Sequence, residues 1–315
     1  MQALPTVSLS LHAMATRFEL VLYGEDVLRL RAAGEEALQE IERLESQLSF
    51  YSVLSEIGRI NARAGEEPVK VEARLFDLLR DCVRLTHQTD RAFDISVGPL
   101  MRAWRFFGTE GREPTAFEVE SVRSVVGIEN VELDDDLLTI RFKHSGTELD
   151  LGGYAKGYAI DRAMALLKEN GVTAALLHGG ASSVSCIGAP PGAGAWNIGL
   201  HSLFNSGDGR SIVSLRDSVL SFSALHGKSF TKDGISYGHV LDPSTCKPVS
   251  GHLAAVVVGQ GAALCEALST ALLVNGPTWL PVMTERFPGC DGMIAFEQAG
   301  SKVEVLSTLV RTATV

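Results

Sequence analysis

The chain has 315 residues, 45% of them hydrophobic and 21% charged, a composition that excludes a mainly disordered polypeptide and suffices for one large domain or two modest ones at roughly 150 residues each. Lysine and arginine number 28 against 38 aspartate and glutamate, a formal net charge of −10, and a field of that sign disfavours nucleic acid as a partner. No run approaches the roughly 18 apolar residues of a transmembrane helix, and Met1-Gln2-Ala3-Leu4-Pro5 has neither the basic nor the apolar region of a secretory signal, so the expected location is cytoplasmic, or periplasmic if a leader has been removed.

In chain order, residues 17–23 read as a strand. Leu30, Ala33, Ala37, Ile41, Leu44 and Leu48 recur at spacings of three and four, the pattern of an amphipathic helix of about six turns. A second helix is expected over 72–87, with Leu75, Leu78, Leu79, Cys82 and Leu85 on one face. Strands are expected at 138–142 and 147–151. Gly152-Gly153 then breaks the chain, and a helix runs to the stop signal Asn170-Gly171. Strands follow at 173–178, 183–188, 195–201, 211–215, 218–223, 235–241 and 253–258, with Gly and Pro between them. A helix at 262–275 and strands at 291–296 and 302–306 complete the pattern. Strands and helices are segregated rather than alternating, so the expected fold class is α+β, with residues 1–315 as one domain.

Three motifs are set aside. Gly227-Lys228-Ser229 ends like a phosphate loop, but Phe222 stands where its first glycine belongs. Gly259-Gln260-Gly261 follows an apolar strand, yet Leu264 replaces the third glycine of a dinucleotide fingerprint. Ser244-Thr245-Cys246-Lys247 matches an acylating-serine pattern without its partner motifs. The five cysteines are scattered and read as reduced, structural thiols.

Four segments carry chemistry. Asp150-Leu151-Gly152-Gly153-Tyr154-Ala155-Lys156-Gly157 takes a strand through a glycine turn into a helix start. Free N–H groups there attract an anion, and Lys156 lies where the helix dipole disfavours a cation unless a phosphate offsets it. An ordinary turn with a solvated lysine explains the same residues. Glu266 and Thr270 lie four apart on one helix face, two hard oxygen ligands suited to Mg²⁺, or else a solvated carboxylate and a hydroxyl bonded to its own helix. His239 and Asp242, in His239-Val240-Leu241-Asp242-Pro243, are candidates for a base, against a structural histidine. Ala92-Phe93-Asp94, before Gly98-Pro99, suits the floor of a flat ring or simply core.

Taken in order, these segments resemble the ApbE family of flavin transferases, which move FMN from FAD onto a target protein. Met14-Ala15-Thr16 resembles the family's opening M-G-T. Leu48-Ser49-Phe50-Tyr51 with Ser55-Glu56-Ile57 and Asn61 resembles L-S-x-Y…S-E-I-x-x-x-N. Ala92 to Pro99 resembles F-D-x-x-V-G-P, Asp150 to Gly157 matches D-L-G-G-x-A-K-G, His239 to Pro243 looks like H-x-L-D-P, and Glu266 to Thr270 resembles D-A-L-S-T. The chain departs from the pattern at Ala15 (family Gly), at Glu266 (family Asp), at Cys246 (family Gly) and over 221–229, where little beyond Ser223 is kept.

The resemblance implies an α+β fold with FAD in a cleft and its pyrophosphate bridged by Mg²⁺. Tyr51 would pack on the flavin, and Met14, Ala92, Phe93 and Asp94 would line it. Asp150 and Lys156 would hold the nucleotide, and His239 and Leu241 would lie along it. Glu266, Thr270 and the Gly153 carbonyl would hold the metal. The implied reaction transfers FMN to a Thr or Ser hydroxyl of an acceptor flavoprotein and releases AMP, with His239 or Asp242 taking the proton. The rival readings are an FAD pyrophosphatase and a flavin-binding protein without chemistry.

Overall fold

The computed structural model describes residues 4–106, 111–200, 211–225, 229–298 and 302–309. Chain order begins with a hairpin, β1 (Thr6–Ala13) and β2 (Thr16–Tyr23), and the long helix α1 (Val27–Leu48). Then come α2 (Glu56–Arg63), β3 (Val69–Lys70), α3 (Ala73–Gln88), α4 (Gly98–Ala103), α5 (Ala116–Arg123), β4 (Val131–Asp134) and β5 (Thr139–Phe142). The helix α6 (Ala155–Glu169) leads to β6 (Ala175–Gly179), β7 (Ser183–Ile187), β8 (Trp196–Gly199), β9 (Ile212–Leu215) and β10 (Val219–Ala224). After β11 (Ser229–Lys232), β12 (Ile235–Gly238), β13 (Leu241–Asp242), β14 (Lys247–Pro248) and β15 (His252–Gly259) come α7 (Ala262–Asn275), α8 (Leu280–Arg286), β16 (Asp291–Gln298) and β17 (Lys302–Ser307).

The main sheet has eight strands in the order β1-β2-β6-β7-β10-β15-β16-β17, and every neighbouring pair is antiparallel. Helices α1, α6 and α7 cover one face, which is the α+β class expected. The stripe Leu30, Ala33, Ala37, Ile41, Leu44 and Leu48 faces this layer and is buried along its length. Helix α7 is apolar almost all round because it lies between the sheet and the outer elements. On the opposite face, β8 and β9 close a smaller core around Trp196, Val213 and Leu215. A third cluster gathers Leu100, Trp104, Phe106, Leu241 and Cys246.

Two expected strands are corrected. Residues 147–151 form no strand, although their backbone is paired: Asn61 Nδ2 donates to the Leu149 carbonyl at 2.9 Å and Asn61 Oδ1 accepts from the Leu149 N–H at 2.8 Å. One side-chain amide thus takes the place of a neighbouring strand. The stretch 235–241 divides into β12 and β13 at His239-Val240, because β12 pairs with β11 while β13 pairs with β14. Residue 201 of the expected strand 195–201, and Gly227-Lys228, lie outside the described residues. The hairpin β1 was not foreseen, although Val7, Leu9, Leu11 and Ala13 alternate with polar residues. All five cysteines are buried and unbridged.

The β1–β2 turn places Met14 at φ +50° and Ala15 at φ +56°, the left-handed pair that a two-residue turn of this hand requires. Ala15 therefore carries a strain that glycine would not. Ala15→Gly should stabilise the protein by about 0.5–1 kcal/mol, the left-handed penalty outweighing glycine's larger unfolded-state entropy. The urea midpoint measures this; an unchanged or lowered midpoint would contradict the reading of the turn.

Candidate active site

The site is built where the first turn of α6 meets α7. Asp150 closes the approach: its N–H donates to the Ile95 carbonyl at 2.7 Å, and its Oδ1 accepts from the Gly152 N–H at 2.8 Å. The chain then turns through Gly152-Gly153 into α6, whose start has no side-chain cap. At Gly157 the two helices touch. A Cβ there would stand 2.4 Å from the Ala262 carbonyl oxygen, so only glycine permits the crossing. Asp161, one turn on, accepts from the N–H groups of Ala262 and Ala263 at 2.6 and 2.9 Å and so caps α7 from the neighbouring helix. Burial pushes its carboxyl up from the usual range, against the pull of those two donors. The same capping explains why Gly259-Gln260-Gly261 is no phosphate loop: the N–H groups it would offer are taken.

Glu266 lies in the interior with its side chain 5% exposed. Its carboxylate is paired with the Lys156 ammonium, and it accepts from Ser183 Oγ at 2.5 Å and from the Gly157 N–H at 2.8 Å. The alternative of a solvated Glu266 is thereby excluded. At Gly157 the N–H is taken by the protein's own carboxylate, which also offsets the unfavourable position of Lys156. Thr270 lies one turn further along α7. Its Oγ1 is 3.6 Å from where a Gly153 Cβ would stand, and Phe93 Cε2 is 3.7 Å from the same point.

Behind this line the sheet contributes hydroxyls. Ser221 and Ser223 alternate along β10, and Ser221 pairs in register with Ser183 of β7. Ser223 Oγ is 2.8 Å from Ser269 Oγ and 3.5 Å from Thr270 Oγ1, and Ser221 Oγ is 3.2 Å from Ser269 Oγ. Ser183, Ser221 and Asn61 were not singled out from sequence as site residues. The i, i+2 serines on a strand otherwise apolar were the available signal.

The remaining candidates are spread around this centre. Phe93 is buried and stacks at a tilt on Tyr154, ring centroids 6.0 Å apart. Ala92 is core. Asp94 serves its own loop: Oδ1 accepts from the Ser96 N–H and Oγ, both at 2.7 Å, and Oδ2 from the Ile128 N–H at 3.0 Å. Burial raises its carboxyl pKa despite these bonds. Met14 presents its N–H to Glu45 Oε1 at 2.6 Å. Tyr51 is 56% exposed and stands edge-on to Phe50 at 5.4 Å. Burial of its phenol, and then the negative Asp150, raise its pKa.

His239 follows β12, whose last residue, Gly238, lies against the backbone of Leu225, the residue after β10. Leu241 is buried in the third cluster rather than open to a ligand. Asp242 is committed to a turn. Its Oδ1 accepts from the Ser244 N–H and Oγ at 2.8 and 2.7 Å and its Oδ2 from Thr245 Oγ1 at 3.0 Å, which also explains the serine of Ser244-Thr245-Cys246-Lys247. Cys246 ends that turn at φ +60°.

The donors available to a divalent cation are hard oxygens: the Glu266 carboxylate, Thr270 Oγ1 and the Gly153 carbonyl. The space over Gly153 lacks a side chain, and Thr270 borders it. This set suits Mg²⁺, which takes one or two carboxylates and completes its shell with water and substrate phosphate. Among the described residues no group of three or more His, Cys, Asp or Glu could hold a metal.

The architecture matches that of the solved ApbE proteins. The crystal structure of the ApbE protein from Thermotoga maritima superposes with a TM-score of 0.86 at 28% identity, covering 95% of this chain and 96% of that one. The apo form of the Pseudomonas stutzeri flavinyl transferase ApbE gives 0.83 at 25% identity, over 98% and 96%. The ApbE family model matches residues 14–294, and the chain belongs to the ApbE family. Its relatives include a FAD:protein FMN transferase of Klebsiella pneumoniae, 29% identical over 265 residues (81% of each chain), and one of Vibrio cholerae, 28% identical over 243 residues (75% of this chain, 71% of the relative).

If Tyr51 stacks on a flavin, as the family resemblance implies, Tyr51→Ala should weaken FAD binding by about 1–2 kcal/mol through lost stacking and apolar contact. The thermal midpoint without ligand should barely move, since the ring is more than half exposed. A large loss of that midpoint with unchanged binding would make Tyr51 a packing residue.

Proposed function

We propose that this chain is a Mg²⁺-dependent FAD:protein FMN transferase that esterifies a Thr or Ser hydroxyl of an acceptor flavoprotein and releases AMP. The observation that carries the reading is the convergence of Gly153, Lys156, Glu266 and Thr270 at the α6–α7 crossing, in a chain of the ApbE family. The substrate FAD brings a flavin ring and a doubly charged pyrophosphate. In this reading Tyr51 stacks on the ring, and Phe93 forms the wall behind Gly153. The side-chain-free turn lets the pyrophosphate approach, and Lys156 supplies positive charge beside it. Gly153, Thr270 and Glu266 would hold the cation, which when bound neutralises charge on the pyrophosphate.

The acceptor oxygen forms a bond to the FMN phosphorus as the phosphoanhydride bond to AMP breaks. The hydroxyl gives up one proton and AMP carries the electron pair of the broken bond. Catalysis of this kind is mainly positioning and charge stabilisation. His239, which follows β12, is the residue we assign to the proton; Asp242, bound into its own turn, is not. A fluorescence titration tests the pyrophosphate site. FAD should bind at least tenfold more tightly than riboflavin in the presence of Mg²⁺, and equal affinities would overturn the assignment.

A further inference from the structure

The Glu266 carboxylate already has a cation. Lys156 Nζ is paired with it and lies 3.1 Å from Ser183 Oγ, and the Gly157 N–H completes the set. Both partners are inside the protein, with the side chains of Lys156 and Glu266 19% and 5% exposed. The lysine stem runs past Gly179, where a Cβ would come within 3.3 Å of its Cδ. A second cation arriving at Glu266 would meet the ammonium at contact distance, where like charges in a poorly solvated site repel strongly. The two would share the carboxylate only against that repulsion. In the function proposed above, the substrate pyrophosphate is the other anion within the turn that opens the helix bearing Lys156.

This step rests on the function proposed above. We propose that Lys156 is a positioning residue that competes with the divalent cation for Glu266. Without a cation, its ammonium holds Glu266 and pins α7 to α6. When a cation takes the carboxylate, Lys156 leaves it for the substrate pyrophosphate. Cation and FAD would then each favour the other's binding by the same factor. The longer reach of Glu266, compared with an aspartate, is what brings the carboxylate to Lys156.

Calorimetry with MgCl₂ alone and with FAD alone tests the competition without reference to turnover. Lys156→Met should bind Mg²⁺ at least tenfold more tightly than the unaltered protein, because the competitor is gone. Lys156→Gln, which keeps a neutral donor for Glu266, serves if the methionine variant does not fold, and should show the same direction. Glu266→Gln should bind FAD without Mg²⁺ at least threefold more tightly, because Lys156 is released, and this gain should vanish in Lys156→Met/Glu266→Gln. Unchanged or weaker Mg²⁺ binding in the Lys156 variants, or a gain in FAD affinity that survives in the double variant, would overturn the competition. The unaltered protein's FAD titration separates the two readings: no FAD binding, with or without Mg²⁺, overturns the proposed function itself.

Discussion

Gly157→Ala is expected to destabilise the protein by about 2 kcal/mol. Alanine in a helix interior gains about 1 kcal/mol over glycine, so from propensity alone the variant would be the more stable. The crossing reverses the sign. The added Cβ would stand 2.4 Å from the Ala262 oxygen, 2.5 Å from its carbon and 2.6 Å from the Ala263 nitrogen. All three are backbone atoms and cannot rotate away. Helices α6 and α7 must part by roughly 1 Å, and overpacking of this kind costs about 3 kcal/mol. The movement would also draw the Gly157 N–H and Lys156 away from Glu266, so FAD binding should fall with stability. Thermal unfolding followed by circular dichroism gives the first effect and a FAD titration the second. A midpoint equal to or above that of the unaltered protein would mean that the helices can separate freely, and that the crossing does not set the site.

The second large effect is expected at Glu266. Glu266→Gln keeps the shape of the side chain and removes its charge. Lys156 is then left in the interior without its counter-ion, and the amide must turn an N–H₂ toward one of three donors. Removing one partner of a buried pair is costly for that reason, so the thermal midpoint should fall by several degrees, as expected for a change of about 2–3 kcal/mol. If Glu266 also holds the cation, Mg²⁺-dependent release of AMP should fall on the order of 100-fold. Glu266→Asp keeps the charge and should retain most of the turnover. A Glu266→Gln protein with normal Mg²⁺-dependent turnover would leave Glu266 as a purely structural carboxylate, and the cation would have to be sought at another oxygen.

Much of this was legible in the sequence, for identifiable physical reasons. The stripe from Leu30 to Leu48 gave α1 because a 3.6-residue period has one meaning over so many turns. The ends of α6 followed from Gly152-Gly153 and from Asn170-Gly171, where Gly171 stands at φ +77°. Ala15 and Cys246 were legible as departures from glycine, but not as strained, since the sign of φ belongs to the folded turn. Helix α2 was missed because eight residues with two buried isoleucines carry too little period. The extended run 147–151 looked like a strand because its backbone is paired, and nothing in the sequence says that the partner is the side chain of Asn61, 88 residues away.

The site shows the same division. Glu266 and Thr270 were placed on one helix face by their spacing alone. The pairing of Glu266 with Lys156 spans 110 residues and depends on the crossing at Gly157, so no local pattern could announce it. Asp242, a candidate base, and Asp94, a candidate flavin-lining residue, both accept from their own loops, a role short polar side chains often take next to turns.

Transfer and hydrolysis differ in where the FMN goes. The direct measurement is the intact mass of an acceptor flavoprotein domain after incubation with this protein, FAD and MgCl₂, with AMP determined in the same sample. The acceptor should gain one FMN in phosphoester linkage, with one AMP for each acceptor modified, and substitution of the acceptor's Thr or Ser by alanine should abolish both the gain and the matched AMP. AMP and free FMN appearing together while the acceptor keeps its mass would contradict transfer and make the protein an FAD pyrophosphatase; neither product, with FAD bound, would leave it a flavin-binding protein without this chemistry.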